Sequence, residues 1–215
     1  MSTSSKKNIF GKFINLLSGK PEDEEGDFMA DPKPEEKSEF APKESEPIDL
    51  SFVKNFVRSE GKFLYCENKE EAAHYLGLIM EESGLTEIYC QDTFLRGLLQ
   101  QGQANITEDL AKADAFCSVC EYLVSFNGGI MFTAKQTKER KLNELPETFI
   151  TIAYTSQITA NLRSALSGIR AKYQGDIPSQ ITTIRGPKKL DDIEDSPGSN
   201  VCNKEIYLLL LEDQG

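Results

Sequence analysis

The run Glu205–Leu211, close to the carboxyl end of the chain, constrains the fold more than any other stretch. It reads Glu-Ile-Tyr-Leu-Leu-Leu-Leu, without the alternation of apolar and polar residues that is typical of a strand with one face in water. We therefore predict a strand that is central in its sheet or covered on both faces. Such strands are typical of α/β proteins, in which helices cover a parallel sheet.

Helical and strand patterns alternate through the chain upstream of that run. The spacing of apolar residues and the helix stop signals predict helices at 49–58, 68–83, 92–101 and 156–172, with a single turn within 107–112. Short apolar runs predict strands at 63–66, 87–90, 113–119, 122–126, 130–132, 149–154, 180–185 and 205–211. This order predicts an α/β fold with a mixed, largely parallel sheet and helices on both faces.

The segment Asn127-Gly128-Gly129 separates two of the apolar runs. Asn-Gly at such a position is the strongest local sign of a β-hairpin, because a type I′ turn needs positive φ at both central residues. The sequence therefore predicts one antiparallel hairpin in an otherwise largely parallel arrangement.

Acidic residues and prolines are concentrated upstream of the predicted domain. Residues 21–50 hold twelve acidic side chains, three lysines and five of the nine prolines in the chain. A segment of this composition buries too little apolar surface to offset its chain entropy. We therefore predict a disordered acidic linker at 21–47 and a globular domain at 48–215.

A short amphipathic pattern precedes the linker, within residues 1–20. The large apolar residues of segment 6–17 fall on one helical face, and lysines lie beside them. This pattern favours a helix that contacts a membrane surface or a partner. The alternatives are a frayed terminus or a helix that packs back on its own domain.

The charge of the chain and its cysteine content limit the partners and the cellular compartment that we expect. The formal net charge is −11, and no long basic run offers a face for nucleic acid. Five cysteines, an odd number, without a secretory signal predict reduced thiols and a cytoplasmic protein, peripheral to the inner face of the membrane if segment 6–17 binds there. No apolar stretch approaches the length of a spanning helix.

Cys117 and Cys120 form a Cys-x-x-Cys pattern, but it falls in a predicted strand rather than at the start of a helix. Residues three apart in a strand do not share a face, and no second pair with metal-ligand spacing accompanies them. We predict buried thiols, no metal and no cofactor. His74, the one histidine, is predicted to be a surface or half-buried residue of a helix.

Basic residues surround a Gly-Pro turn after the predicted strand 180–185. They are Arg185, Lys188 and Lys189, and Arg140 precedes another strand. Converging cations at the carboxyl end of a parallel strand predict a site for a carboxylate or a phosphate. The alternative is a solvated turn whose lysines pair with the acidic residues 191–195.

A longer motif runs through residues 113–132. Its members are Ala113, Asp114, Ser118, Glu121, Tyr122 and Gly128. Without a gap, this segment resembles the motif of the LUD domain, the family of lactate-utilisation protein C. In the resemblance, Ser118 stands for a threonine and Glu121 for an acid.

The resemblance extends from about residue 48 to the end of the chain. Arg140 and Leu145-Pro146 resemble an Arg and a Leu-Pro of the family, and Ser156-Gln157-Ile158 matches directly. The family's Gly-Pro and Asp-Ile-Glu are matched by Gly186, Pro187, Asp192, Ile193 and Glu194.

The chain departs from the family where polar chemistry is expected. Phe126, Asn127 and Gly129 replace an acid, a threonine and a hydroxyl residue, while Lys189 keeps a cation in the Arg/Lys position. Residues 198–202 lack the family's histidine and second Gly-Pro. The missing groups are those that transfer protons or bind polar ligands.

The resemblance implies an α/β fold like that of sugar-phosphate isomerases and CoA transferases (NagB/RpiA/CoA-transferase-like). It assigns no catalytic residue. The ligand-binding residues that it implies, together with the basic turn, are Glu121, Asn127, Gly128, Gly129, Arg140, Gly186, Pro187, Lys189, Asp192 and Glu194.

The first functional hypothesis is a non-catalytic accessory or adaptor protein, linked to lactate or organic-acid utilisation and to iron–sulfur oxidoreductase subunits. An alternative is an enzyme that acts on a small anionic metabolite (a CoA ester, sugar phosphate or hydroxy acid) through Glu121, Arg140 and Lys189. That alternative requires a pocket between 127–129 and 186–194. A third hypothesis is an interaction protein tethered to a membrane surface through residues 6–17.

Overall fold

The computed structural model describes residues 46–186, 199–201 and 204–213. The strands are β1 Lys62–Cys66, β2 Glu87–Tyr89, β3 Asn105–Thr107, β4 Ala115–Val119, β5 Tyr122–Val124, β6 Gly129–Thr133, β7 Thr148–Tyr154, β8 Ile158–Thr159, β9 Ile181–Arg185, β10 Ser199–Val201 and β11 Glu205–Leu211. The α-helices are α1 Ile48–Arg58, α2 Lys69–Ser83, α3 Thr93–Gln101, α4 Ala134–Thr137 and α5 Leu162–Tyr173.

Six parallel strands form the first sheet, in the order β1-β11-β7-β4-β2-β3. The apolar strand β11 lies between β1 and β7, and all seven of its residues are in register with β7. Its residues from Ile206 to Leu211 are buried. The predicted α/β fold, with a largely parallel sheet and an apolar strand inside it, is confirmed.

A second sheet of five strands has the order β10-β9-β6-β5-β8. Its centre is antiparallel, because β6 pairs with both β5 and β9 in that sense. The predicted hairpin is therefore present, but it belongs to this separate sheet. The sequence patterns did not separate the two sheets, nor did they predict the short strands β3, β8 and β10.

The two sheets pack face to face. The ring of Phe132 on β6 lies 6.1 Å from the ring of Phe149 on β7, and Phe116 on β4 joins them at 5.1 Å. Neighbouring residues of β7 point the other way, and Ile150 and Ile152 pack in the core beneath α2 and α3. The layers are thus helices, first sheet and second sheet.

Helix α5 covers the outer face of the second sheet. Ala165 and Ile169 of the helix pack on Val124 and Met131 of the hairpin strands. Helix α1 contacts β1 of the first sheet and β8 of the second. Helices therefore cover both sides of the paired sheets, and α1 closes one of their ends.

The hairpin loop differs from the predicted type I′ turn. It has four residues, 125–128, and among them only Gly128 has a positive φ, of 65°. Helix α1 supplies the reason, since the Asn55 side chain donates hydrogen bonds to the backbone carbonyls of Ser125 at 2.8 Å and Phe126 at 3.3 Å. A docked helix, and not the strand twist alone, selects the conformation of the loop.

The predicted helix 156–172 begins later than its apolar pattern indicates. A short 3₁₀ turn, Thr155–Gln157, and strand β8 come first, and α5 starts after Asn161, whose side chain accepts a hydrogen bond from the Ser164 N–H at 3.0 Å. Gln157 holds the preceding turn by donating to the Cys120 carbonyl at 2.6 Å. Side-chain bonds to the backbone therefore set this boundary.

The predicted helix at 6–17, and nearly all of the predicted linker at 21–47, lie outside the described residues. Within the part of the chain that the structure describes, no helix has the length and apolar character needed to cross a membrane.

Candidate functional site

A cavity of about 270 Å³ lies at the carboxyl ends of β2 and β4, which are neighbours in the parallel sheet. This edge is where open α/β sheets bind their ligands. Its lining residues come from the ends of the two strands, from the start of α3 and from α4: Tyr89, Gln91, Asp92, Thr93, Phe116, Cys117, Ser118, Val119, Lys135, Gln136 and Lys138.

Two lysines stand at the rim of this cavity, on and just after α4. Lys135 is already engaged, because its ammonium lies 3.0 Å from a carboxylate oxygen of Asp176 and 4.3 Å from the centre of the Tyr173 ring. The ammonium of Lys138 makes no hydrogen bond or ion pair with any other described residue. Lys138 therefore offers the freer positive charge.

The backbone that carries Lys138 is strained. Lys138 and Glu139 have φ values of 52° and 61°, so two successive residues with side chains adopt the left-handed conformation. Such residues cost free energy and are concentrated at functional sites. Four-residue helix α4 ends at this pair, which places the lysine at the rim.

The opposite wall is the amino end of α3. Thr93 is the first residue of the helix, and the Asp92 side chain caps it by accepting a hydrogen bond from the Leu95 N–H at 3.0 Å. The amino end of a helix carries partial positive charge and attracts anions. Asp92 is the one carboxylate among the lining residues, and this cap holds it to its own helix.

Glu121 lies behind the cavity wall and is fully buried, with 0% of its side chain exposed. Its carboxylate accepts hydrogen bonds from Lys172 at 2.7 Å and Gln136 at 2.6 Å, and from the Tyr173 hydroxyl. Burial alone would raise the pKa of Glu121, but the bonds from Lys172, Tyr173 and Gln136 outweigh it and lower the pKa below its usual value. The group is a charged structural anchor.

Gln136 connects this anchor to the cavity. Its amide nitrogen donates to Glu121, while its amide oxygen accepts from the backbone N–H and the hydroxyl of Thr133, at 2.8 and 2.6 Å. These bonds tie α4 to the end of β6. Glu121 therefore helps to position α4, which carries Lys135 and is followed by Lys138, at the cavity.

Asn127, Gly128 and Gly129 are predicted ligand residues, but they pack against other parts of the fold. A Cβ on Gly128 would collide with the backbone of α1 at Phe56, and one on Gly129 would lie 2.6 Å from a methyl of Thr183. The Asn127 side chain accepts a hydrogen bond from the Gly129 N–H at 3.0 Å. The glycines are needed for close packing.

Gly186 packs against Ser59, the residue that follows helix α1. Its N–H donates to the Ser59 hydroxyl at 3.3 Å, and a Cβ would collide with the Ser59 carbonyl. Gly128 and Gly186 thus meet the carboxyl-terminal half of α1, where the enzyme hypothesis requires a pocket. Pro187, Lys189, Asp192 and Glu194 lie outside the described residues.

The remaining predicted residues are dispersed. Arg140 is exposed on the loop after α4 and is not among the lining residues of the cavity, whereas Arg185 is buried at the end of β9. His74 is exposed on α2, and Cys117 and Cys120 are both buried, as predicted. No group of three or more metal-ligating side chains occurs in the described ranges.

The predicted set therefore shares little with the cavity. Glu121 precedes β5, and the loop with Asn127 follows it, so they lie at opposite ends of the hairpin. The cavity residues on β2, α3 and α4 were not predicted. Only the ends of two predicted apolar strands pointed to this position in the sequence. Helix α4 could not be predicted, because four residues are too few to show a helical periodicity.

Comparison with known proteins agrees with this architecture. The LUD domain family matches residues 86–211, more than half of the chain. The crystal structure of a DUF162 family protein from Deinococcus radiodurans is similar to this fold, with a TM-score of 0.53, 16% identity, and coverage of 77% of this chain and 95% of that one. Curated protein sequences gave no significant match. The chain belongs to the LUD domain family.

Proposed function

We propose that this LUD-domain protein is a binding member of its family rather than a catalytic one. Its ligand is a small metabolite with a carboxylate or phosphate group, held in the cavity at the ends of β2 and β4. One observation carries the proposal: the cavity has two lysines at its rim, and its one carboxylate, Asp92, is bonded to its own helix.

The charges of the lining favour an anion. Lys138 contributes one positive charge and Lys135 a second that it shares with Asp176, the start of α3 adds partial positive charge, and Asp92 contributes one negative charge. Two charge-assisted hydrogen bonds contribute about 3–6 kcal/mol. That range corresponds to dissociation constants from roughly millimolar to tens of micromolar.

The groups near the cavity that could transfer a proton are poorly placed for it. Glu121 is buried in an ion pair with Lys172, and Asp92 caps α3. The pKa of the Cys117 thiol lies well above its usual value because of its hydrogen bond to Cys90 and its burial. Binding without turnover is what these positions support.

An accessory role follows from binding without turnover. Membership of the LUD family supports an organic acid such as lactate as the ligand and iron–sulfur oxidoreductase subunits as partners. A sugar phosphate or CoA ester carries the same anionic chemistry and belongs to the enzyme alternative. Binding measurements with each class of anion distinguish these ligands.

Isothermal titration calorimetry on the full chain tests the proposal, with inorganic phosphate, L-lactate, ribose 5-phosphate and acetyl-CoA as probes. We expect saturable binding of at least one probe, weakened by Lys138→Gln and unchanged by Lys112→Gln. Lys112 is the matched control, because it is a surface lysine with 73% of its side chain exposed, outside the cavity.

Two results would contradict the proposal. One is equal affinity in the wild type and the Lys138→Gln variant. The other is conversion of any probe at a rate of about 1 s⁻¹ or more, followed by NMR, since that is the ordinary range of enzymes.

A further inference from the structure

We propose that Cys90 and Cys117 are a redox-active pair, which hydrogen peroxide converts reversibly to a disulfide. This inference is independent of the anion proposed above. It also differs from the Cys-x-x-Cys pattern in the sequence, because it couples Cys117 with a cysteine on the neighbouring strand.

The sheet register brings the two cysteines together. Strands β2 and β4 are adjacent and parallel, with Ile88 opposite Ala115 and Tyr89 opposite Phe116. The next residue along each chain is a cysteine, so Cys90 comes opposite Cys117. Adjacent strands are about 4.8 Å apart, which lies inside the Cα separation that a disulfide spans.

Both side chains lie on the face of the sheet that packs against α2 and α3. The register makes the two cysteines direct neighbours on that face, and each thiol perturbs the pKa of the other. The two sulfurs therefore belong to adjacent strands of one sheet, and no rearrangement of elements is needed to pair them.

The two neighbouring thiols are unequal. A hydrogen bond from Cys117 lowers the pKa of Cys90 despite the opposing effect of burial. The Asp92 backbone also lowers this pKa, the Asp92 carboxylate raises it, and Arg96 lowers it by a smaller effect. The same bond, followed by burial, raises the pKa of Cys117. This asymmetry assigns Cys90 as the attacking thiolate and Cys117 as the thiol that resolves the intermediate.

Access to the pair comes from the cavity. Cys90 is 0% exposed and Cys117 is 1% exposed, but Cys117 is part of the cavity lining. A cavity of about 270 Å³ holds several molecules of the size of water. Hydrogen peroxide is small enough to enter this cavity.

The reaction has two balanced steps. The Cys90 thiolate attacks one oxygen of hydrogen peroxide, the O–O bond breaks, and the leaving hydroxide takes up the proton lost by the thiol to form water. Cys90 is left as a sulfenic acid. The Cys117 sulfur then attacks the Cys90 sulfur, the S–O bond breaks, and a second water leaves with the Cys117 proton. Two thiols lose two electrons and the peroxide gains them.

Two other described cysteines provide matched comparisons. Cys66 is opposite Leu211 in the sheet, so no cysteine faces it, and burial, with a smaller effect of Glu71, raises its pKa to about 12. Burial also raises the pKa of the Cys120 thiol. Lys172 lowers the pKa of Cys120 only slightly against the larger effect of burial, so both thiols are expected to resist peroxide.

The experiment uses the reduced full chain, treated with hydrogen peroxide, alkylated and digested without reductant for peptide mass spectrometry. We expect a Cys90–Cys117 linked peptide as the main disulfide, with the loss of two free thiols in a chain of five cysteines. Dithiothreitol should restore both thiols. Cys66→Ser is expected to form the same disulfide, and Cys90→Ser to form none.

A second readout separates the two roles. Cys117→Ser should accumulate a sulfenic acid on Cys90, trapped by dimedone, while Cys90→Ser should give no adduct on Cys117. Mapping of the wild type decides the question even if a serine variant fails to fold. A main disulfide between Cys117 and Cys120, one that includes Cys202, or free Cys90 and Cys117 after treatment would overturn the proposal.

Discussion

At the scale of single residues, Glu121 is the most constrained charged group in the described part of the chain. Its carboxylate is buried, yet it receives bonds from Lys172, Tyr173 and Gln136. Lys172 keeps 56% of its side chain exposed, so solvent weakens the ion pair. Glu121 contributes to stability mainly because its carboxylate accepts hydrogen bonds from several donors at one buried position.

Replacement of Glu121 by Gln removes the charge but keeps the shape. We expect a loss of about 1–3 kcal/mol in the free energy of unfolding, because the donors around it lose their charged acceptor. Urea denaturation measures the loss. Glu108→Gln is the control, since Glu108 is 78% exposed in its pair with Arg96 and should change stability by less than about 0.5 kcal/mol. Equal effects of the two substitutions would contradict the role of Glu121.

The lowered pKa of Glu121 also predicts a pH dependence. A carboxyl with a folded-state pKa below its ordinary value of 4.5 stabilises the protein above that value and loses this contribution as the pH falls through the folded-state pKa. The stability difference between the wild type and Glu121→Gln should therefore be constant near neutrality and shrink below about pH 4.5. Thermal unfolding from pH 7 to pH 3 measures this difference. A difference that grows on acidification would contradict a lowered pKa of Glu121.

At the scale of elements, α1 is held by glycines from two other segments. Gly128 of the hairpin loop approaches the helix backbone at Phe56, and Gly186 after β9 approaches the backbone of Ser59, the residue that caps the helix, both too closely for a side chain. The Ser125 hydroxyl also donates to the Ile48 carbonyl at 2.8 Å, at the start of the helix. Docking of α1 thus uses residues from two segments that are distant in the chain.

Two glycines with nearly the same φ allow the contribution of this contact to be measured separately from backbone strain. Gly128 has φ 65° and is packed against α1, whereas Gly84 has φ 64° and no atom within 4 Å of an added Cβ. Gly84→Ala should cost about 1 kcal/mol for the left-handed conformation alone. Gly128→Ala should cost roughly 2–4 kcal/mol, because overpacking is added. Chemical denaturation compares them, and equal losses would show that the contact with α1 contributes nothing.

At the scale of the whole molecule, local patterns predicted the elements better than their association. The apolar run 205–211 and the alternation around it are periodic signals, and they correctly indicated the parallel sheet. The second sheet depends on pairing of β6 with β9, which are distant in sequence and read like any other apolar strands. Nothing local distinguishes a strand of one sheet from a strand of the other.

The candidate site was harder to predict for a related physical reason. The cavity is assembled from the ends of β2 and β4 with a four-residue helix that is held in place through bonds among Thr133, Gln136 and Glu121 and through the Lys135–Asp176 pair. Its residues are adjacent in space and far apart in the chain. The motif did identify Glu121, and the structure shows that this acid supports the wall of the cavity rather than lining it.

An NMR titration of the isotope-labelled full chain with inorganic phosphate tests most directly whether the anion binds in the cavity at the ends of β2 and β4. We expect the largest changes in backbone amide shift at Thr93, Lys135 and Lys138, because they surround the cavity. Saturable changes centred on Gly128 and Gly186 would instead place the ligand beside α1 and contradict binding in the cavity.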